Sequence, residues 1–285
     1  MVNALSLSKL STDEDISNMF GSVFESYGTD ITRYKPGFIK RRLDRRMGIL
    51  DIKNYSDYAL LLKKERKEFE ELFMSLSINV TNFFRDSVVY DSFKSIIIPK
   101  ILSNLGNGDK IRIWSAGCAS GEEPYSIAIM FLSAFEKLNN FRIEITANDI
   151  SKKAVEYAQN GKYPVKSVEK LPQDIIAKYF QKISDNADTR YEINSLIKNQ
   201  ISFKTCDILS NDVKQIDAIF CRNVLIYYER EAQELIMSKF HQCLKECGYL
   251  VLGMDETMLG RKCEKLFYPV MPRERIYQKV LSNTS

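Results

Sequence analysis

The sequence predicts an α/β fold in which an N-terminal helical domain precedes a mostly parallel sheet with helices on both faces. From about residue 12 to residue 88, apolar residues recur at helical spacing and no convincing strand is present. From about residue 110, short β runs alternate with helical stretches, which is typical of parallel strands joined by crossover helices. We therefore expect a helical domain and linker in residues 1–88 and an α/β domain in residues 89–285.

Four helices are predicted in the N-terminal region. The first covers residues 13–27, where apolar side chains share one helical face and Thr12, or the serine before it, provides a helix start. Pro36 suits the first turn of the second helix. The third and fourth helices are predicted over residues 55–62 and 65–77.

Strands and helices alternate in the C-terminal region. The predicted strands cover residues 111–114, 141–147, 201–205, 216–221, 249–252 and 275–280. The predicted helices cover residues 124–137, 151–159 and 231–244. Residues 161–199 break the alternation with two prolines and a polar segment, so we interpret them as a small subdomain inserted between β–α units.

Composition argues against several classes of protein. With 45% hydrophobic and 27% charged residues, the chain can bury a sizeable core and is not disordered. No apolar run approaches the roughly 18 residues of a membrane span, and the N-terminus lacks the pattern of a secretory signal, so we expect a cytoplasmic protein. The six cysteines form no C-x-x-C pair and are interpreted as reduced thiols. The single histidine, His241, argues against a metal site and a Ser-His-Asp triad.

The most informative segment is residues 113–127, where a β run is followed by a loop of small residues and a helix start. The small residues from Gly117 to Gly121 would let a ligand approach the backbone, at the strand ends where open parallel sheets bind ligands. Glu122 and Glu123 would repel a pyrophosphate and suit a positively charged ligand such as S-adenosylmethionine. The alternative is a tight β–α turn whose acids cap the helix.

Asp149 ends the second predicted strand, one β–α unit after the small-residue loop. An acid at this place can accept hydrogen bonds from both ribose hydroxyls of a bound nucleoside. The alternative is a turn or capping residue. No lysine stands in a Walker-type loop, so we do not expect use of ATP.

Four segments together resemble the family of chemotaxis receptor glutamate methyltransferases, which act on methyl-accepting chemotaxis proteins. The segments are NVTNFFRD at residues 79–86, WSAGCASGEEPYSIA at 114–128, NDI at 148–150 and FCRNVLIYY at 220–228. Their order and spacing match, and the resemblance covers nearly the whole chain. It implies a seven-stranded class I methyltransferase sheet (Rossmann-like), preceded by an all-helical domain and interrupted by a small β-rich subdomain at residues 161–199.

The resemblance also implies which residues hold the cofactor, S-adenosylmethionine. Linker residues would contact it, with Arg85 suited to the methionine carboxylate, while Asp149 would take the ribose. Asp207 and Ile208 would flank the adenine, although Asp207 stands where the family pattern has asparagine. The full set of implied cofactor-binding residues is Asn79, Thr81, Arg85, Gly117, Glu122, Glu123, Asp149, Asp207, Ile208, Arg222 and Asn223.

The implied reaction is methylation of glutamate side chains, which need no general base because glutamate is already ionised at neutral pH. Arg222 and Tyr227 are the implied catalytic residues, with Tyr227 helping to place the cofactor or the substrate carboxylate. One loop departs from the family pattern: residues 253–256 read GMDE, where a glycine, a histidine, a serine and an acid are more usual.

The basicity of the chain is local. The segment of residues 38–48 holds five basic residues and one acid, and so carries the whole net charge of +4. Arg41, Arg42, Arg45 and Arg46 are spaced to form one basic helix face. Such a face is usually only solvated, but the resemblance implies docking to the acidic methylation helices in the cytoplasmic helical bundle of chemotaxis receptors.

Two other functions stay open from the sequence. The first is methylation of a small molecule or nucleic acid, although the absence of a basic patch interleaved with aromatic residues argues against nucleic acid as a partner. The second is a signalling module that binds without turnover. We expect a monomer that does not insert into a membrane.

Overall fold

The structure, a computed structural model, describes residues 12–26, 30–76, 81–106, 109–135, 142–185, 188–258 and 261–281. The chain divides into two compact units. The first comprises Met1–Ile78 and Tyr227–Gln233, and the second comprises Asn79–Ile226 and Glu234–Ser285. Within the described ranges, every helix is too short or too polar to traverse a lipid bilayer.

The first unit is helical, as predicted. Its helices are α1 Asp13–Glu25, α2 Pro36–Ile49, α3 Tyr55–Lys64 and α4 Arg66–Leu76. The predicted starts of α1, α3 and α4 agree with these to within one residue and the predicted end of α3 to within two, while the predicted ends of α1 and α4, residues 27 and 77, lie outside the described residues. Thr12 and Asp15 form a capping box at the start of α1, and Asn54 caps α3. Pro36 lies in the first turn of α2, where its missing N–H costs nothing.

Aromatic side chains dominate the core of this unit. Phe20, Phe24 and Tyr58 are fully buried, and the ring centroids of Phe24 and Phe69 are 5.0 Å apart. The segment Tyr227–Gln233 belongs to the same core, because the ring of Tyr228 stacks on that of Tyr34 at 4.5 Å between centroids.

The second unit is built on a seven-stranded sheet in the order β6-β2-β1-β7-β8-β10-β9. Its strands are β1 Lys110–Ala116, β2 Arg142–Asp149, β6 Ile201–Thr205, β7 Ile216–Cys221, β8 Leu244–Leu252, β9 Phe267–Met271 and β10 Ile276–Lys279. The first five strands in this order are parallel, while β10 pairs antiparallel with both β8 and β9. The predicted α/β fold is confirmed.

Two strand predictions were incomplete. The edge strand β9 was missed because it contains Pro269, a residue that sheets tolerate mainly at an edge. Strand β8 begins at Leu244 rather than at residue 249, and its pairing with β7 shifts register between Ile216 and Ala218. The polar residues of this irregular stretch obscured the strand in the sequence.

Helices connect the strands of the second unit. They are α5 Ser87–Ser92, a π-helical turn Phe93–Ile97, α6 Ile98–Ser103, α7 Glu122–Phe135, α8 Lys152–Asn160, α9 Val165–Val168, α10 Gln173–Tyr179, α11 Ser195–Lys198, a 3-10 turn Leu225–Tyr227, α12 Arg230–Cys243 and α13 Arg261–Leu266. Helix α7 packs its apolar side chains, among them Ile127 and Phe131, into the buried core beside the sheet.

The predicted small β-rich subdomain is also confirmed. Strands β3 Lys162–Pro164, β4 Phe180–Asp185 and β5 Asp188–Ile193 form a separate antiparallel sheet in the order β3-β5-β4. This sheet lies in sequence between α8 and β6, and therefore interrupts one β–α crossover of the main sheet.

The strand order fixes where a ligand can bind. From β1 the chain continues through β2 to β6 on one side of the sheet, and it then returns to β7 and β8 on the other side. The carboxyl ends of β1 and β7 therefore flank a topological switch point, where open α/β sheets have their ligand crevice.

Candidate functional site

The ends of three parallel strands are joined by Asn148, a fully buried residue of β2. Its side-chain oxygen accepts a hydrogen bond from the Trp114 indole N–H at 2.6 Å, and its side-chain nitrogen donates to the Cys206 carbonyl after β6 at 2.9 Å. Its backbone oxygen accepts from the Gly117 and Cys118 N–H groups at 2.8 and 2.9 Å. Asn148 therefore fixes the start of the small-residue loop relative to the neighbouring strand ends.

The loop after β1 follows a path that few side chains could take. Gly117 has a φ of 83° and Gly121 a φ of 96°, both in a region that favours glycine. A Cβ on Gly117 would lie 2.6 Å from Cγ2 of Val224, which follows β7. The loop is therefore packed tightly against the segment after the neighbouring strand.

Glu122 and Glu123 begin α7 and are almost completely buried, at 5% and 8% exposure. The hydroxyl of Ser120 donates to Glu122 at 2.7 Å, and that of Ser115 donates to Glu123 at 2.8 Å. Burial raises the pKa of each carboxyl to about 7. Two buried carboxyls that ionise near neutral pH form a site that would be stabilised by a ligand with positive charge.

Asp149 is buried at the end of β2, and both of its carboxylate oxygens accept backbone hydrogen bonds. One oxygen accepts from the Ala119 N–H and the other from the Ser151 N–H, each at 2.9 Å. These bonds hold the carboxylate beside the small-residue loop. Each oxygen has further lone pairs with which it could accept hydrogen bonds from a ligand.

The linker residues after position 80 are anchored to the start of α7. The Phe84 N–H donates to the Ser126 hydroxyl at 2.9 Å, and that hydroxyl donates to the Glu122 carbonyl at 2.7 Å. Arg85 follows and is half-buried, and its charge lowers the pKa of Glu123 in opposition to burial. Thr81 is half-buried, while Asn79 lies outside the described residues.

Arg222 follows β7, and its side chain is only 2% exposed. Its Nη2 donates to Oδ2 of Asp86 at 2.7 Å, and its guanidinium carbon lies 5.5 Å from the centroid of the Tyr90 ring. Its Nε is buried and has no hydrogen-bond partner within the described residues. Asp86 thus holds the guanidinium while one donor stays available to a ligand.

Asn223 comes next and has a φ of 60°, in the left-handed region. Its Oδ1 is buried and has no partner within the part of the chain that the structure describes. Its backbone N–H donates to the carboxylate of Glu256 at 2.9 Å. The side chain therefore offers an unused acceptor while its backbone is held firmly.

The two residues expected at the adenine lie after β6. Ile208 is buried at 4% exposure, and Oδ1 of Asp207 accepts the Leu209 N–H at 2.7 Å. Asp207 therefore closes a local turn, a role that asparagine could fill equally well.

Tyr227 belongs to the first unit. Its ring centroid lies 4.9 Å from that of Phe38 in α2, and its backbone oxygen accepts the Lys35 N–H at 2.9 Å.

The four arginines of α2 have two kinds of environment. Arg41 and Arg45 are exposed. By contrast, Arg46 is 16% exposed and donates two hydrogen bonds to Glu68, at 2.9 and 2.5 Å. Arg42 is half-buried, with its guanidinium carbon 5.1 Å from the centroid of the Phe38 ring. The arginines therefore do not form one uniform basic face.

Three residues that contact the site had no assigned role in the sequence interpretation. They are Asp86, Asn148 and Glu256. Asn148 could have been suspected, because it stands directly before Asp149 at the end of an apolar β run. The partner of Asp86 is 136 positions away, and three of the four N–H groups that Glu256 accepts are 31 to 33 positions away, so no local pattern reveals these contacts.

These groups fit S-adenosylmethionine. Its ammonium and sulfonium charges suit buried carboxyls, and its ribose hydroxyls suit Asp149. The Asn223 side-chain oxygen, which has no partner among the described residues, can accept a hydrogen bond from a ligand N–H or O–H. The cofactor carries no phosphate, which Glu122 and Glu123 would repel.

Comparisons with known proteins agree with this fit. Residues 79–272 match the family described as CheR methyltransferase, SAM binding domain, and residues 14–77 match the CheR methyltransferase all-alpha domain. The chain is 33% identical over 259 residues to a chemotaxis protein methyltransferase of Borreliella burgdorferi, covering 88% of this chain and 90% of that relative. It is 30% identical over 253 residues to chemotaxis protein methyltransferase 2 of Vibrio cholerae, covering 87% and 86% respectively.

Proposed function

The chain belongs to the CheR methyltransferase family, and from this membership we propose that it methylates glutamate side chains of chemotaxis receptors, forming glutamate methyl esters. Family membership makes it an S-adenosylmethionine-dependent methyltransferase of chemotaxis. The observation that best supports the site is the pair of buried carboxyls, Glu122 and Glu123, at the switch point of the sheet. What we propose beyond family membership is that the substrate is a receptor glutamate and that the product is its methyl ester.

The proposed roles follow from the contacts of each residue. Glu122 and Glu123 would hold the charged end of the cofactor, Asp149 its ribose, and Asp207 with Ile208 its adenine. When bound, S-adenosylmethionine supplies an electrophilic methyl group, and its transfer to a carboxylate oxygen gives a methyl ester and a neutral thioether. Further cofactor contacts are proposed for Asn79, Thr81, Arg85, Gly117, Arg222 and Asn223.

The protein itself has little acid–base chemistry to perform. A glutamate side chain has a reference pKa of about 4.3 and is therefore a carboxylate nucleophile at neutral pH. The remaining tasks are alignment of the reacting atoms and exclusion of water. We assign alignment of the substrate carboxylate to Tyr227, whose neutral hydroxyl can donate a hydrogen bond without the strong charge pairing that would weaken the nucleophile.

We propose that receptor docking depends on Arg41 and Arg45 of α2. They are exposed and four residues apart, so they lie on one side of the helix. Arg46 donates two hydrogen bonds to Glu68 and Arg42 packs against Phe38, so we assign these two arginines a smaller part in docking. An acidic helix of a receptor bundle would complement the two exposed guanidinium groups.

The test uses the full chain, methyl-labelled S-adenosylmethionine and membranes that contain chemoreceptors. We expect label on the receptor that alkali releases as methanol, because a carboxyl methyl ester hydrolyses in base. Receptors with alanine in place of the candidate glutamates serve as the matched control and should stay unlabelled. Tight cofactor binding with no alkali-labile label on any receptor would contradict the proposed substrate.

A further inference from the structure

A buried carboxylate, that of Glu256, lies behind the loop that follows β7. Glu256 is 4% exposed. Its Oε1 accepts the backbone N–H groups of Val224 and Leu225 at 2.8 and 2.7 Å. Its Oε2 accepts those of Asn223 and Gly253 at 2.9 and 2.6 Å. Four backbone donors from two separate loops therefore converge on one side chain.

This arrangement gives an acceptor to the three successive backbone N–H groups of residues 223–225. Strand β7 ends at Cys221, and Asn223 turns the chain with a φ of 60°. The turn aims three successive N–H groups in one direction, where an unpaired buried N–H would be costly. Because Glu256 occupies that position, these donors are not available to stabilise negative charge on a ligand.

Gly253 belongs to the same hydrogen-bond arrangement, because its backbone N–H donates to Glu256. A Cβ at this position would lie 2.7 Å from the Asn223 backbone nitrogen, 2.9 Å from its Nδ2 and 2.9 Å from Oε2 of Glu256. The loop of residues 253–256 therefore presses against both the backbone and the side chain of Asn223. Any larger residue at Gly253 would push Asn223 out of its place.

We propose that Glu256 is a positioning residue for cofactor binding, which holds Asn223 in its left-handed conformation so that its side-chain oxygen faces the cofactor. The inference rests on the proposed cofactor role of Asn223. The Asn223 oxygen is buried and unpartnered among the described residues, as expected of a group reserved for a ligand. Glu256 itself acts only through the loop and has no role in the chemical step.

The experiment measures the dissociation constant of S-adenosylmethionine by calorimetry on the full chain, together with thermal unfolding without cofactor. Glu256→Gln keeps the size of the side chain, but its amide nitrogen cannot accept, so two of the four N–H groups lose their acceptor. We expect the dissociation constant to rise by about tenfold or more. Asp255→Asn is the matched control, because Asp255 is the exposed neighbour in the same loop, and it should stay within about twofold of the parent.

A double-mutant cycle separates positioning from general loss of structure. Asn223→Gly removes the ligand-facing side chain and tolerates the positive φ. In that background, Glu256→Gln should change the dissociation constant by less than about twofold, because its effect passes through Asn223. An equal effect of Glu256→Gln in both backgrounds would overturn the proposal, as would an unchanged dissociation constant in the single variant.

A second variant keeps the proposal testable if Glu256→Gln does not fold. Gly253→Ala retains the carboxylate and displaces Asn223, so it should weaken cofactor binding in the same way. If neither Glu256→Gln nor Gly253→Ala folds, the contact is required by the fold itself and the positioning role is wrong. If the parent chain does not bind S-adenosylmethionine, the proposed function fails rather than this inference.

Discussion

Arg222 donates a hydrogen bond of 2.7 Å to Asp86, although 136 positions separate the two residues. Arg222 follows the central strand β7, and Asp86 precedes helix α5 with a φ of 55°. The guanidinium is 2% exposed, whereas the carboxylate is 35% exposed. The contact ties the linker segment to the end of β7 at the ligand crevice, so it bears on both stability and binding.

Loss of the Asp86 carboxylate should therefore weaken both properties. In Asp86→Asn, the buried guanidinium loses its counter-charge but keeps a neutral acceptor. We expect the free energy of unfolding to fall by about 1–2 kcal/mol, a value reduced for the partial exposure of Asp86. We also expect weaker binding of S-adenosylmethionine, because Arg222 would no longer be held in place. Urea unfolding and calorimetry measure the two effects.

Asp91→Asn is the control for this variant. Asp91 is an exposed residue of α5, so its substitution removes the same charge five positions along the chain without touching Arg222. Equal stabilities of the two variants would show that the Asp86–Arg222 contact contributes nothing measurable.

Binding of S-adenosylmethionine should strengthen as pH rises through neutrality. The pKa of Glu122 and that of Glu123 are each raised to about 7 by burial, and only the ionised carboxylate attracts a positively charged ligand. Between about pH 6 and about pH 8, ionisation of one such group should lower the dissociation constant by up to about tenfold. Arg85, Arg222 and Glu256 also face Glu123, so the comparison is made against Glu122→Gln and Glu123→Gln. If the dissociation constants of the parent and of both variants change with pH in the same way, this assignment is wrong.

For the cofactor-free protein, the same carboxyls predict a free energy of unfolding that falls as pH rises. A carboxyl whose pKa is raised from 4.5 when unfolded to about 7 when folded favours the folded state in its protonated form. This contribution is fully present below about pH 4.5 and is lost as pH rises through about 7. Glu122→Gln should therefore become more stable relative to the parent as pH rises, by about 1–3 kcal/mol. A constant difference in unfolding free energy across this range would argue against a raised pKa.

Substitution by alanine should lower the free energy of unfolding at Gly117 and raise it at Gly48. Gly117 has a positive φ, and its Cβ would collide with Val224, so Gly117→Ala should lower the free energy of unfolding by about 2 kcal/mol. Gly48 lies in α2, and apart from its chain neighbours and the nearby helix backbone no heavy atom of the described residues lies within 4 Å of its Cβ position, so Gly48→Ala should raise stability by about 0.5 kcal/mol. Urea unfolding of both variants tests the pair, and a stable Gly117→Ala protein would show that the loop can relax.

Tyr227→Phe tests the assigned role in catalysis. The ring and its packing on Phe38 would be kept, while the hydroxyl that we expect to position the substrate carboxylate would be lost. We expect a lower kcat with the dissociation constant of S-adenosylmethionine little changed. Tyr228→Phe is the neighbouring control, because the Tyr228 hydroxyl pairs with that of Tyr34. A turnover equal to that of the parent would remove Tyr227 from the mechanism.

The sequence predicted those features that local patterns encode. Helical spacing of apolar residues predicted α1 to α4, and the small-residue loop after β1 predicted the ligand crevice, because each pattern lies within a short window. The partners of Arg222 and Arg46 could not be predicted, since Asp86 is 136 positions from Arg222 and Glu68 is 22 positions from Arg46. The spacing of the four arginines of α2 suggested one basic face, whereas the contact of Arg46 with Glu68 and that of Arg42 with Phe38 of the same helix divide them into exposed and packed pairs.

That division leads to a test of receptor docking. Arg41→Ala with Arg45→Ala removes two exposed charges, so the free energy of unfolding should hardly change. The apparent KM for receptor should rise about fivefold or more, with kcat nearly unchanged, and the dependence of KM on salt should become weaker. Lys63→Ala with Lys64→Ala is the matched control, because it removes two exposed charges from α3. By contrast, Arg46→Ala should cost about 2 kcal/mol of stability, because Glu68 is 11% exposed and loses a two-bond partner. If the Arg41 and Arg45 variant and the lysine control give the same receptor KM, α2 has no specific role in docking and the charge effect is general.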